Sequence, residues 1–227
     1  MSRLRHMPPR RRSYDQYCSA ARALDVVGDR WTLLIVRELL AGPRRYTDLH
    51  ADLPGVSTDV LASRLKDMER DGLATRRRLP PPGAASVYEL TGRGRELLPV
   101  LQALGRWGEG ALGECRPTDA VRAHWFALPL LRGLEEVGDG GPALSGLVEV
   151  RLPEGTFHVW AGEAEGPVYG DGPAPRTPDA RLSFEDAAVS AAVRRGETSV
   201  VDVVRAGRVV VEGDGALAKE LRELRTA

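Results

Sequence analysis

Residues 46–72 read YTDLHADLPGVSTDVLASRLKDMERDG, and this stretch decides the fold. Tyr46 to Leu53 spaces its apolar residues as a short helix, with Thr47 as its cap and Leu49 and Leu53 turned inward. Pro54-Gly55 is a turn. Ser57 then caps a second helix that reaches about Arg70. Val60, Leu61, Leu65 and Met68 share one face of it, while Asp59, Ser63, Lys66 and Arg70 point the other way. Asp71-Gly72 ends it. Two helices joined by a tight turn, the second with a polar outer face, have the shape needed to lay a helix in the major groove of duplex DNA.

Working outward, Cys18 to Val27 carries Ala20, Ala21, Leu24 and Val27 at helical spacing and stops at Gly28. Asp29 is placed to cap a helix over Arg30 to Leu40, in which Trp31, Leu34, Ile35, Glu38 and Leu39 fall on neighbouring turns; Gly42-Pro43 ends it. Beyond Gly72, the extended runs Leu73 to Leu79 and Ser86 to Leu90 flank Pro80-Pro81-Pro82-Gly83-Ala84, which cannot be helical and reads as a hairpin tip. Strand alternation puts Arg76 and Arg78 on one face and Arg77 on the other. A long helix is expected from Thr91 to about Leu112, interrupted or bent near Pro99 and Gly105. The order is four helices, a hairpin and a helix.

The 227 residues are 42% hydrophobic and 28% charged, a length that suits two domains. No apolar run approaches the ~18–20 residues that cross a bilayer, and the basic N-terminus lacks a signal-peptide core, so a cytoplasmic chain with no membrane partner is expected. The zero net charge hides an asymmetry. Residues 1–116 hold 20 Lys+Arg against 14 Asp+Glu, and residues 117–227 hold 12 against 18. A basic half joined to an acidic one fits a nucleic-acid module fused to a part that does not bind nucleic acid. The two cysteines, Cys18 and Cys115, have no ligand-spaced Cys or His beside them, which argues against a metal site or a disulfide framework. There is no Gly-Lys phosphate loop, no Gly-x-Ser-x-Gly elbow and no His-Glu-x-x-His, so no catalytic residue and no cofactor are expected.

The segments ALDVVGDRWTLLI (23–35), Arg37-Glu38-Leu39, GPRRY (42–46), LASRL (61–65), Glu69, Asp71-Gly72-Leu73 and YELT (88–91) resemble the HxlR-type branch of winged-helix bacterial regulators. The resemblance covers about 90 residues, Cys18 to Trp107. It implies a regulator, a repressor in our reading, that grips a two-fold symmetric operator as a homodimer through the Ser57–Arg70 helix and the hairpin wing, with the domain's terminal helices forming the dimer contact. The contacts expected with DNA are Arg44, Tyr46, Ser57, Thr58, Asp59, Ser63, Arg64, Lys66, Arg76 and Arg78. Arg64 lies at the edge of the buried stripe, suited to a phosphate. Cys18 stands where many family members have a Cys-Pro pair, here followed by Ser19, and the resemblance makes it a candidate redox-sensing thiol, with Arg22 one turn on placed to favour a thiolate.

The second half reads as α+β: a helix over Ala120 to Glu136, a loop at Gly138 to Pro142, strands at Leu147 to Leu152 and Thr156 to Ala161, and a loop-rich stretch from Gly166 to Pro178. A strand at Ala180 to Phe184, a helix at Glu185 to Arg194, the ambiguous run Val200 to Arg205, a strand at Arg208 to Val211 and a closing helix at Gly215 to Leu224 complete it. RAGRVVVEGD (205–214) with its closing helix resembles the end of sterol-carrier-protein-type domains. That resemblance implies an apolar tunnel for a lipid-like effector, for which His124, Trp125, Phe126, Phe157, Trp160, Tyr169 and Phe184 are candidate lining residues. The expected organisation is thus a disordered basic arm (1–13), a winged helix-turn-helix domain (14–113) and a sterol-carrier-like α+β domain (120–227) for ligand sensing or dimerisation. Two other readings stand beside a ligand-responsive regulator: a thiol-based redox regulator acting through Cys18, and a carrier or enzyme that uses the winged helix only for dimerisation.

Overall fold

A computed structural model of the chain describes residues 13–80, 85–138, 144–162 and 166–225. The expected basic arm, the hairpin tip and the loop after Gly138 lie wholly or mostly outside these residues. The first half runs α1 (Ser19–Val27), α2 (Thr32–Leu40), β1 (Arg44–Arg45), α3 (Tyr46–Asp52), α4 (Thr58–Arg70), β2 (Ala74–Arg78), β3 (Ser86–Leu90), α5 (Gly92–Arg95) and α6 (Leu98–Gly108). The second runs α7 (Ala127–Gly138), β4 (Gly146–Leu152), β5 (Gly155–Ala161), β6 (Tyr169–Asp171), β7 (Ala180–Ser183), α8 (Ala187–Arg194), α9 (Val200–Arg205), β8 (Val210–Glu212) and α10 (Ala216–Glu223). The fold is mixed α+β with a winged helix-turn-helix at its N-terminal end.

The local chemistry of α4 explains its limits. Ser57 accepts from the Val60 amide at its start, and at its end Gly72 adopts φ +69, so that Leu73 N–H donates back to Met68 O at 2.9 Å. This left-handed closure satisfies carbonyls that would otherwise be orphaned. The chain then enters β2, which pairs antiparallel with β3 from Ala74↔Leu90 to Arg78↔Ser86, while β1 adds to the other edge of β3 through Arg44↔Tyr88. Thr91 locks the base of this wing: its hydroxyl donates to Gly72 O at 2.6 Å and accepts from Gly94 N–H at 3.2 Å.

Several boundaries differ from expectation. The helix expected from Thr91 to Leu112 is interrupted rather than bent near Pro99, with a break at residues 96–97, because Pro99 sits in the first turn of α6, where its missing N–H removes no bond. Gly105 lies inside α6. Arg45, not Thr47, is the N-cap of α3, and Trp31, not Asp29, that of α2; Asp29 instead accepts from the Trp31 amide. The helix expected from Ala120 starts as a 3-10 turn at Ala123–Phe126, since the chain before it is held in a turn by Asp119 bonding the Arg116 backbone and guanidinium. The ambiguous run at Val200 is helix α9, capped by Ser199 and Asp202. Strand β6 lies inside the stretch read as loop. Tertiary pairing with β5 creates it.

The second half is a five-stranded sheet in the order β6-β5-β4-β7-β8, antiparallel except for the β4–β7 pair. Its core is built on Phe126, whose ring meets Phe184 edge-on at 5.1 Å and Phe157 at 6.4 Å. One hydrophobic cluster extends from Ile35, Leu39, Leu61 and Leu65 of the first half into Phe126, Leu130 and Tyr169 of the second. No described helix is long and apolar enough to cross a membrane.

Gly94 is confined by its neighbours: a Cβ there would run into the Leu73 carbonyl oxygen. Gly94→Ala is expected to lower stability by about 1–3 kcal/mol, read as a fall in Tm. The control is Gly105→Ala, where a Cβ meets nothing in contact; it should hold or raise Tm.

Candidate DNA-binding face and its junction with the second half

Leu53 and Val56, both buried, pin the two ends of the turn between α3 and α4. The Tyr46 hydroxyl donates to Thr58 O at 2.7 Å, tying the start of α3 to the start of α4. Among the expected DNA contacts, Tyr46 is therefore engaged in positioning the helix. Ser57, Thr58, Asp59, Ser63 and Lys66 are exposed along the outer face of α4. Val60, expected inward, is 39% exposed and belongs to that face as well.

Arg64 is held rather than free. Its guanidinium reaches Asp67 at 2.8 Å and Asp29, ahead of α2, at 3.3 Å, which braces α4 against the preceding helices. On the wing, Arg77 is committed to Glu89, whereas Arg76 lies over the Tyr88 ring at 5.9 Å. Among the described residues, Lys66, Arg76 and Arg78 have no carboxylate partner, so their charge faces outward. Arg44 is half-buried, and two of its guanidinium nitrogens are closed off without a hydrogen-bond partner.

Behind this face lies a polar junction that spacing alone did not reveal. Glu38 of α2 is fully buried. Its carboxylate accepts from Arg37 Nε at 2.7 Å, from Trp125 Nε1 at 2.9 Å and from His124 Nε2 at 2.8 Å. The Arg37 guanidinium also stacks on the Trp125 indole at 4.0 Å. Burial alone would raise the Glu38 pKa, but the hydrogen bonds and positive charge of His124 and Arg37 outweigh it and hold the carboxyl below its ordinary range. Tyr169 donates its hydroxyl to Arg37 O, and burial pushes its phenol upward. Val168 N–H donates to Leu40 O at 2.9 Å, capping the C-terminal end of α2 from the second half. Arg122 adds a bond to Asp52 at 3.4 Å. The signal for this junction was present in the sequence: a carboxylate inside the apolar stripe of a helix must find partners.

The structure distributes the candidate effector-lining residues unequally. Phe157, Phe184, Phe126 and Tyr169 are fully closed within the core, His124 belongs to the Glu38 junction, and Trp160 meets His158 edge-on at 4.6 Å. Trp125 alone of the seven lines the broad cleft between the halves. Cys18 is exposed at the N-cap of α1. Arg22, placed by the sequence beside it, sends its guanidinium to Ser13 and Asp25 instead.

Outward polar helix, buried turn and basic wing together define a winged helix-turn-helix protein. The model described as HxlR-like helix-turn-helix matches residues 26–115. The chain is 37% identical over 86 residues to the uncharacterized HTH-type transcriptional regulator YvaP of Bacillus subtilis, spanning 38% of this chain and 80% of that one. It is 33% identical over 99 residues to the HTH-type transcriptional regulator YodB of Bacillus subtilis, spanning 44% of this chain and 86% of the relative. The solved structure of reduced YodB is 31% identical, with a TM-score of 0.38 over 46% of this chain and all of that one. The chain belongs to the HxlR-like helix-turn-helix family. The family model's match, residues 26–115, lies within the first half.

The junction predicts a pH dependence. A carboxyl held below its ordinary value of 4.5 contributes stability that is complete above that value and is lost as pH falls through the lower folded value. Glu38→Gln should therefore flatten the fall of Tm between about pH 5 and pH 3, measured against the parent chain. At neutral pH, Glu38→Ala should cost about 3–5 kcal/mol by leaving the His124 and Trp125 donors and Arg37 unpaired.

Proposed function

We propose that this protein is a non-enzymatic, DNA-binding transcriptional regulator that acts in the cytoplasm as a homodimer on a two-fold symmetric operator. In this reading it is a repressor that a small molecule held by the second half releases or modulates. The observation that carries the reading is the uncompensated charge of Lys66, Arg76 and Arg78 beside the exposed polar face of α4. Phosphate contacts supply most of the affinity for duplex DNA, and groups on a helix that enters the major groove read the bases. Ser63 and Thr58 are then base-edge or phosphate donors, Arg64 stiffens the helix it sits on, and Asp59 disfavours an acceptor-rich edge.

The dimer reading rests on apolar surface. Val100, Leu104 and Trp107 follow one another at four- and three-residue spacing along α6, and Trp107 is 85% exposed. Leu24 of α1 and Tyr17 just before it are likewise open. A second copy that covers these terminal helices removes this surface from water. The second half docks on α2 and leaves α4 uncovered, an arrangement suited to modulation rather than blockade. A five-stranded sheet backed by helices also supports the sterol-carrier-like reading of that half.

Mobility-shift titration on the protein's own promoter region tests the proposal, and failure to retard any fragment at moderate salt overturns it. Lys66→Gln and Arg78→Gln should each weaken binding and lower the slope of log affinity against log salt by about one. Leu104→Glu combined with Trp107→Ala should yield a monomer by sedimentation and lose most of the operator affinity.

A further inference from the structure

We propose that the cleft between the two halves is the effector site, and that it takes a small amphipathic anion with a flat apolar body and one carboxylate or sulfonate. This rests on the ligand-responsive reading above and gives it a place and a chemistry. The cleft has a volume of about 1050 Å³, at the upper end of what small-ligand sites occupy. Its walls come from α2, the turn before α4, α6, the connecting segment at 111–121, α7 and α8.

The floor is apolar and incompletely covered. Trp31 and Leu34 of α2 face it from one half, and Trp125 and Leu128 from the other, all half-buried. Two indoles beside an open volume offer stacking area to a flat ring. Arginines share the rim with three carboxylates, Glu109, Glu114 and Asp119, and every lining arginine but Arg30 is held in an ion pair, which leaves Arg30 as the open cation. Arg30 is exposed, lies over the Trp31 ring at 5.4 Å and has no carboxylate partner among the described residues. Arg194 projects from α8, bonded to Glu154 and stacked on Phe126 at 5.0 Å, and burial pulls its pKa down. Guanidinium groups suit a planar anion because they present parallel donors.

Position gives the site its regulatory meaning. Leu53 and Pro54, which open the turn into α4, line the same cleft, and Trp31 Cη2 lies 4.0 Å from where Gly55 would carry a Cβ. A ligand seated against Trp31 therefore bears on the turn that aims the recognition helix. Coupling follows if it fits one setting of that turn better than another.

The test uses the full chain without DNA, so that its failure leaves operator binding standing as a separate result. The probe is 1-anilinonaphthalene-8-sulfonate, followed by its own emission and by quenching of tryptophan, with neutral N-phenyl-1-naphthylamine as the comparison. One saturable site per chain is expected, with the neutral probe and Arg30→Gln each weaker by about tenfold. Gly105→Leu should abolish binding, because Gly105 lines the cleft with open space at its Cβ position; an unchanged Tm and circular dichroism spectrum confirm that it folds. Equal binding of the neutral probe overturns the proposal. So does binding that survives Gly105→Leu in the folded variant, or that weakens as protein concentration favours a dimer, since a second copy would then occupy the cleft.

Discussion

Everything behind the DNA-facing surface depends on one buried carboxylate. Glu38 carries negative charge at a position sealed from water, where an unpaired charge would cost several kcal/mol. Its partners come from both halves of the chain: Arg37 from its own helix, and His124 and Trp125 from the 3-10 turn that opens the second half. Because each donor is directional, the junction defines an orientation as well as a contact. The apolar cluster around it supplies most of the adhesion, and the carboxylate sets the register in which that adhesion occurs.

From this anchor the geometry propagates forward. α2 is held at its C-terminal end by Val168 and along its length by Tyr169 and Trp125. Near its N-terminal end, Asp29 meets Arg64 of α4, and Trp31 sits beside the turn between α3 and α4. The recognition helix is thus gripped through a lever whose other end is embedded in the second half. Its outer face, meanwhile, carries few internal commitments, and Lys66, like Arg76 and Arg78 on the wing, has no carboxylate partner among the described residues.

Legibility in the sequence followed how local the physics was. The helices around Leu24, Ile35, Leu49 and Leu61 and the hairpin at Arg76 and Tyr88 are written in near-neighbour periodicity and turn residues, and they stand close to where the pattern puts them. Pro99 leaves two readings open, because a proline in the first turn of a new helix and one that bends a helix look alike in a string. β6 was invisible, since Tyr169 is drawn into a strand by β5 and by α2, far away in sequence. The aromatic residues Phe157 and Phe184 read equally as core or as pocket lining, and only packing separates the two. Glu38 is legible as a buried charge, since it shares the apolar stripe of its helix with Ile35 and Leu39, but its His124 partner lies 86 residues on.

The bond from Val168 to the Leu40 carbonyl has a consequence for how such proteins can be rearranged. A helix end ordinarily satisfies its last carbonyls with water or with its own following turn. Here one of them is satisfied by Val168, just ahead of β6 in the second half, next to a carboxylate that also looks to that side. The winged helix of this protein is therefore not a portable cassette. Grafted onto another partner, it would arrive with an open carbonyl and a bare charge, and its new neighbour would have to answer both.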